Sequence, residues 1–361
     1  MVEQGYTEEF IGKISSLYFI FYAVGQLING AIGDKIKAKW MILIGLLGAA
    51  TTNIIFSMIA DRPRPAMIVY ATTGFFLSMI YGPMTKLVSE NTEPIHATRC
   101  SSGYTFASFF GSPAAGLLAS FLIWQSVFAV GSGALIFMAL VSLSLFTMLE
   151  KRKVIQYGQY KPEKKALKNL RVLFEHKIVK FALVSIITGV VRTSVVFWLP
   201  TYLAQYLSFP PATATALFTV ATLAISFASF IAVFIYERLG HDMNKTVLLM
   251  FSSATVFFAL TYFIRQPILN IPFITLAIMS SNGAATMLWS RYCPSLRDTG
   301  MVSSATGMLD FLSYMAAAAA NLIFANAVSS IGWGNLILVW GGLMIAGVVV
   351  ALPYHKFKKQ A

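Results

Sequence analysis

Charge is scarce in this sequence. Of 361 residues only 11% are Asp, Glu, Lys or Arg, and the acids number 14. A soluble globular domain carries about 25% charged residues, so a water-facing surface of ordinary extent is excluded. Cysteine is almost missing as well. Cys100 and Cys293 lie far apart near the ends of apolar runs, which excludes a disulfide framework and a metal knuckle and leaves helix packing as their role. The four histidines, His96, His176, His241 and His355, fall in polar connections or the tail without H-E-x-x-H spacing. There is no Walker loop and no nucleophile elbow. The sequence therefore calls for no metal, no cofactor, no direct use of ATP and no enzymatic activity. Its first residues are polar and mixed in charge, unlike a cleavable signal peptide.

Apolar length is what the chain has in abundance, with 57% hydrophobic residues. Runs of about 18 to 25 residues suit a bilayer crossing. They are predicted at 10–32, 40–60, 66–88, 97–122, 124–149, 178–203, 213–236, 246–264, 267–290, 300–325 and 332–353, eleven in all. The expected fold class is all-α, a polytopic membrane protein embedded in lipid.

The few charges are unevenly placed. Across alternate connections, 22 of the 27 Lys and Arg fall on one side, including the ten between Lys151 and Lys180 and the tail residues Lys356, Lys358 and Lys359. The positive-inside rule makes that side cytoplasmic, with the C-terminus there. The net charge of +13 is thus a topology signal at a membrane surface, and no nucleic-acid partner is implied.

The longest break, 150–177, is basic and expected to be partly helical. It divides a first part, 1–149, from a second, 178–361. Shifting the chain by 200 residues lays YGPMTKLVSENTEPIHATR over SNGAATMLWSRYCPSLRDT, with Pro94 on Pro294. A second echo joins GAIGDKIKAKW at Gly30 to YERLGHDMNKT at Tyr236. Two helical-bundle halves around a central loop are the mark of a transporter built from repeats. Halves of equal size imply twelve helices, with one further span before Phe10.

Polar side chains inside the spans are the candidate functional residues. Arg192 is the one charge in FALVSIITGVVRTSVVFWLPTYL. A guanidinium stays charged and costs several kcal/mol in hydrocarbon, so it faces a helix partner or a wet cavity, where its fork of donors suits a carboxylate or phosphate. Tyr22 and Gln26 share a helix face, roughly continued by Asn29, and bind neighbouring helices or line a cavity. Asn282 sits among small residues suited to helix packing. Asp310 has three readings: a partner for Arg192, a protonatable coupling carboxylate, or a structural acceptor near water. Tyr314 follows it by one turn. Asp34 lies at the basic end of a span, able to cap the next helix or to pair with Lys86. With Lys35 it forms a gate latch or a plain solvated turn.

These strings resemble a known family. GAIGDKIKAK at 30–39 is similar to the loop motif between the second and third helices of the major facilitator superfamily. The start MVEQGYTEEFIGKISSLYFIFYAVGQLINGAIGDK, YGPMTKLVSE at 81, VVRTSVVFWLPTYL at 190–203 and TGMLDFLSYMAA at 306 resemble, more specifically, the organophosphate:phosphate antiporters. The resemblance spans essentially the whole chain. It implies the major facilitator fold and places Arg192 as one of two substrate-binding arginines. It also places Tyr22, Gln26 and Tyr314 in the pocket. MVEQGY resembles the end of the family's first helix, which carries the other arginine, so the chain is expected to begin inside that helix. Gln26 stands where the family commonly has lysine. Ala107 or Ser108 stands at a histidine position of the glycerol-phosphate type, and Asp310 where a small residue is usual. This loss of positive charge fits a less anionic solute.

Together these features lead to a secondary active transporter moving a small anionic solute, an organophosphate, sugar phosphate or organic acid, by alternating access. Arg192, Tyr22, Gln26, Asn282 and Tyr314 are its candidate binding residues, Asp310 its coupling residue, and Asp34, Lys35 and Lys86 its gate. Phosphate or a proton is the expected coupling ion, the plasma membrane its location, and a monomer its state. Three alternatives stand beside it: a proton-coupled solute or drug exporter using Asp310, a membrane sensor that does not transport, and an inactive truncated product.

Overall fold

The computed structural model describes residues 8–160, 174 and 176–352. The opening string MVEQGY, the greater part of the basic loop with its expected helix, and the tail with His355, Lys356, Lys358 and Lys359 lie outside the described residues.

Eleven helices follow in order: α1 Glu8–Gly33, α2 Ala38–Ile59, α3 Pro63–Asn91, α4 Pro94–Phe121, α5 Trp124–Lys151, α6 Ile178–Thr201, α7 Pro211–Ser226, α8 Ala228–Arg238, α9 Met243–Phe263, α10 Pro267–Met287 and α11 Val302–Ala351. α6 runs on through a π turn at Tyr202–Tyr206, and α10 through another at Leu288–Tyr292. Proline stands in the first turn of α3, α4, α7 and α10, where its missing N–H costs no helical bond. α7 and α8 belong to one span, Pro211–Arg238. α11 is broken at Gly332 (φ 75°, ψ 166°), a backbone conformation that suits glycine. With α7 and α8 counted as one and α11 as two, the described residues form eleven helical rods at the positions of the eleven apolar runs. Among the described residues, nine helices are long and apolar enough to cross a membrane.

Large apolar side chains face outward along these helices, including Ile68, Phe137, Phe234 and Ile268. That surface suits hydrocarbon and would be untenable in water. Inside, α6 to α11 share one apolar core in which Phe251, Phe258 and Trp340 are fully buried. α1 to α5 have two small clusters, one around Ile42, Leu87 and Ile155 and one around Ile14, Phe56 and Ala66. α1 packs along α3, and α2 along α3 and α5. α6 packs along α11, which also receives α9.

The two groups of helices meet most closely where α1 crosses the first arm of α11. A Cβ at Gly307 would lie 2.1 Å from the Gln26 carbonyl oxygen, and one at Gly30 would lie 2.8 Å from that of Ser303. Only glycine lets the backbones approach this far, the usual way membrane helices gain contact without a hydrophobic drive.

The two segments aligned by the 200-residue shift differ in structure. α4 begins directly at Pro94, whereas after Pro294 a short helical turn and a 3₁₀ turn at Arg297–Thr299 intervene before α11 starts at Val302.

Candidate functional site

Arg192 projects from the middle of α6, and local packing fixes its direction. On the far side of the helix, the buried Trp340 indole N–H donates to Ser194 Oγ at 3.0 Å. Toward α11, Ser185 Oγ donates to Leu309 O at 2.7 Å, and a Cβ at Gly189 would lie 2.1 Å from Ser313 Oγ. α6 therefore cannot rotate without breaking these contacts.

The guanidinium lines a cavity of about 320 Å³. Its Cζ is 5.8 Å from the ring centre of Phe109 on α4 and 5.8 Å from that of Tyr314 on α11. Both distances allow a cation–π attraction. Ser108 and Ser112 from α4, Thr193 from α6, Thr222 from α7 and Asn282 from α10 complete the polar lining. Asn282 is 1% exposed and its Oδ1 has no hydrogen-bond partner.

Beside the cavity is a denser polar cluster. The Tyr314 ring meets Tyr22 at 4.8 Å and stacks with Phe19 at 5.8 Å. The Tyr22 side chain is in polar contact with Asp310 and Tyr314, and Arg192 with Tyr314. Asp310 is 6% exposed. Among the described residues no ion pair within 4 Å is seen between Asp310 and Arg192, although the charge of Arg192 acts on Asp310 through space. Tyr22, beside Asp310, and Tyr314, beside Arg192, stand between the two.

The other candidates separate. Gln26 is fully buried; its amide makes no hydrogen bond of good geometry, though the Tyr22 hydroxyl is within polar reach, and its backbone carbonyl lies against Gly307 of α11. Asn29 donates to Ser78 Oγ at 2.7 Å and so joins α1 to α3. The sequence stripe is therefore divided: Tyr22 and Gln26 adjoin one another, while Asn29 is taken up by α3.

At the basic end, Asp34 does not cap the next helix. Its carboxylate accepts from the backbone N–H of Ser303 at 3.0 Å and of Ser304 at 2.9 Å, and from the Ser304 hydroxyl. It thereby caps α11, from the other group of helices. Burial raises the Asp34 pKa above the ordinary carboxyl value, and the Ser304 contacts and Lys86 partly oppose this. Lys86 Nζ donates to Asp34 O at 2.6 Å and lies 3.8 Å from Asp34 Oδ1 and 3.9 Å from Glu90 Oε1. Lys35 is exposed and takes no part in this contact. Arg99 on α4 adds a two-point pair with Glu237 on α8, at 2.8 and 3.2 Å. The polar contacts between α1–α5 and α6–α11 are thus concentrated at the basic end, which is closed.

The pattern of the Major Facilitator Superfamily matches residues 1–321. The chain belongs to this superfamily. It is therefore a multi-pass membrane transporter by family and fold. It is similar to the glycerol-3-phosphate transporter of Bacillus subtilis (strain 168), 22% identical over 99% of this chain and 86% of that one. Its fold is that of the human organic anion transporter MFSD10 (TETRAN), with a TM-score of 0.71 at 16% identity over 94% of this chain and 83% of that one. The E. coli fucose:proton symporter FucP gives a TM-score of 0.69 at 13% identity, over 95% and 90%.

Phe109 and Phe19 escaped the sequence reading, because a single sequence does not separate a cavity-lining phenylalanine from the many that face lipid. The lining hydroxyls of Ser112, Thr193 and Thr222 carried the same ambiguity with helix packing.

Proposed function

We propose that this superfamily member moves a small anionic solute by alternating access, with Arg192 as the anion contact. The observation that carries this is the Arg192 guanidinium, from the middle of α6, in a cavity lined from both groups of helices, with Asp310 set back from it behind Tyr22 and Tyr314. A guanidinium so placed is costly unless compensated, and an anionic oxygen accepting its paired N–H groups is its natural complement. The cavity's hydroxyls and the free Asn282 acceptor suit a solute that also carries hydroxyl groups. An organophosphate or sugar phosphate has both features, and the glycerol-3-phosphate transporter relative supports that class.

In this proposal residues 1–149 and 178–361 are the two halves, and the loop 150–177 joins them. Tyr314 and Tyr22 align Arg192 beside the solute, while Gln26 acts at the inter-helix contact. Asp34 and Lys86 latch the basic end, taken as cytoplasmic in the plasma membrane, and opening there breaks the latch. The transporter works as a monomer.

A second reading concerns coupling. Asp310 is buried, touches Tyr22 and stands one turn from Tyr314, so a proton held there would be sensed by the anion site. In that reading the proton, rather than phosphate, drives transport.

The test is uptake by proteoliposomes of radiolabelled inorganic phosphate and a panel of phosphate monoesters. Losing a hydrogen-bonded charge contact costs about 1.5–3 kcal/mol, so Arg192→Ala should weaken solute binding roughly 10- to 100-fold. Anion uptake by Arg192→Ala equal to the parent removes the proposal. Asp310→Asn should abolish any stimulation by a pH gradient while leaving solute exchange intact, and an unchanged stimulation removes the second reading.

A further inference from the structure

A second cavity, of about 170 Å³, lies at the basic end between the two groups of helices. Ser89 of α3 and Pro94 and Ala97 of α4 line one side. Arg291, Ser295, Arg297 and Asp298, between α10 and α11, line the other. It is separate from the Arg192 cavity and shares no lining residue with it.

Its charge is unbalanced. Several cations along this end have acids opposite them: Arg99 has Glu237, Lys86 has Asp34 and Glu90, and Lys37 and Lys39 share Glu150. Arg291 has none among the described residues. Its Nε donates to the buried Tyr236 hydroxyl at 2.8 Å, which orients the side chain and leaves its terminal nitrogens without an acid. Arg297 reaches across to Thr92 O at 3.4 Å and lies over the Tyr160 ring at 5.6 Å. Among the described residues its carboxylate partner is the neighbouring Asp298, 3.6 Å from Nε and with a side chain 75% exposed, so that charge is largely spent on water. No side chain caps the first turn of α4, which starts at Pro94 in the cavity wall. Its positive end adds to the field of the two guanidinium groups.

We infer that this cavity is a second anion site, taking a phosphate monoester or inorganic phosphate between Arg291 and Arg297, and that it acts as a brake on opening at the basic end. The site exists only while residues of α3 and α4 stand against those between α10 and α11. An anion that binds the closed form and not the open one shifts their ratio by 1 + [L]/Kd, about 100-fold at a concentration 100 times Kd. The inference rests on the alternating-access reading for its brake role. Binding itself is independent of it and of Arg192.

Cys293, buried beside Pro294, supplies the readout. With Cys100→Ser it is the only thiol, and its reaction with a maleimide reports opening of the basic end. The background also carries Arg192→Gln, which silences the mid-membrane site. In purified full-length protein in phosphatidylcholine nanodiscs, inorganic phosphate should slow labelling of Cys293 several-fold and raise the melting temperature. Arg291→Gln with Arg297→Gln should lose both effects, and Arg291→Lys with Arg297→Lys should recover part of them. A phosphate effect that disappears with Arg192→Gln alone, or that persists in the double Gln variant, overturns the site. Nanodiscs containing phosphatidic acid without free phosphate separate the sources. Arg291- and Arg297-dependent slowing there assigns the site to a lipid headgroup, and slowing only by free phosphate assigns it to a solute. Absence of slowing in both arms overturns the inference.

Discussion

Asp34 and Ser304 lie 270 residues apart, and the carboxylate of the first accepts the backbone N–H of the second at 2.9 Å. An acid from the connection between α1 and α2 thereby supplies the capping acceptor that Met301, the N-cap residue of α11, lacks. A cap of this kind contributes about 0.5–2 kcal/mol. It can act only while the basic end is closed, so it works as a latch.

Asp34→Ala should therefore favour opening. The expected change is a roughly 2- to 30-fold faster maleimide labelling of Cys293 in a Cys100→Ser background, the range that follows from the cap energy. Labelling at the parental rate would show that the capping contact does not hold the end shut.

The same carboxyl makes closure depend on pH. Its pKa is raised by burial in the closed form. An open, solvated Asp34 holds its proton less tightly, so protonation favours closure. This contribution is complete below the ordinary carboxyl pKa and fades as the pH rises through the raised value. Cys293 labelling should thus quicken with rising pH over that window, and Asp34→Asn should flatten the profile. A profile unaffected by Asp34→Asn would assign the dependence elsewhere.

Gly307 sets how closely α1 and α11 approach. Alanine there would put a Cβ 2.1 Å from the Gln26 carbonyl oxygen, a backbone atom that cannot swing aside. Gly307→Ala should cost about 1–3 kcal/mol, as overpacking does elsewhere. Because the clash lies between the halves, the cost should appear as faster Cys293 labelling and a lower melting temperature together.

Gln26 offers the opposite trade. Its amide is fully buried and makes no hydrogen bond of good geometry, with the Tyr22 hydroxyl only within polar reach; a buried amide left unsatisfied costs about 1–3 kcal/mol. Gln26→Met keeps the length and removes the polar atoms, and should raise the melting temperature by several degrees. If solute binding falls at the same time, the amide is used in a state other than this closed one. If binding is unchanged, its role is packing.

Tyr314→Phe keeps the ring over Arg192 and deletes the hydroxyl. With the cation–π contact intact, anion affinity should fall no more than about 10-fold, the scale of one neutral hydrogen bond. Phe109→Ala removes the facing ring and should cost about 0.5–1 kcal/mol of guanidinium anchoring, read as a two- to five-fold weaker phosphate affinity.

The sequence by itself determined the membrane class, the positions of the long apolar helices and the basic end. Those follow from chain-local physics: the length of an apolar run, the position of a proline and the side on which lysine and arginine collect. Arg192 was equally legible, since one charge in an apolar run stands out without any tertiary information. Tertiary structure decided what surrounds these residues. Asp310 touches Tyr22, Asp34 caps α11 rather than the helix that follows it, Lys35 faces solvent, and Phe109 supplies a wall of the cavity. Each depends on how far two helices approach and how each is rotated about its axis. Those quantities are fixed by contacts such as Gly307 on Gln26 and Trp340 on Ser194, which join positions hundreds of residues apart and leave no mark in the local pattern of either.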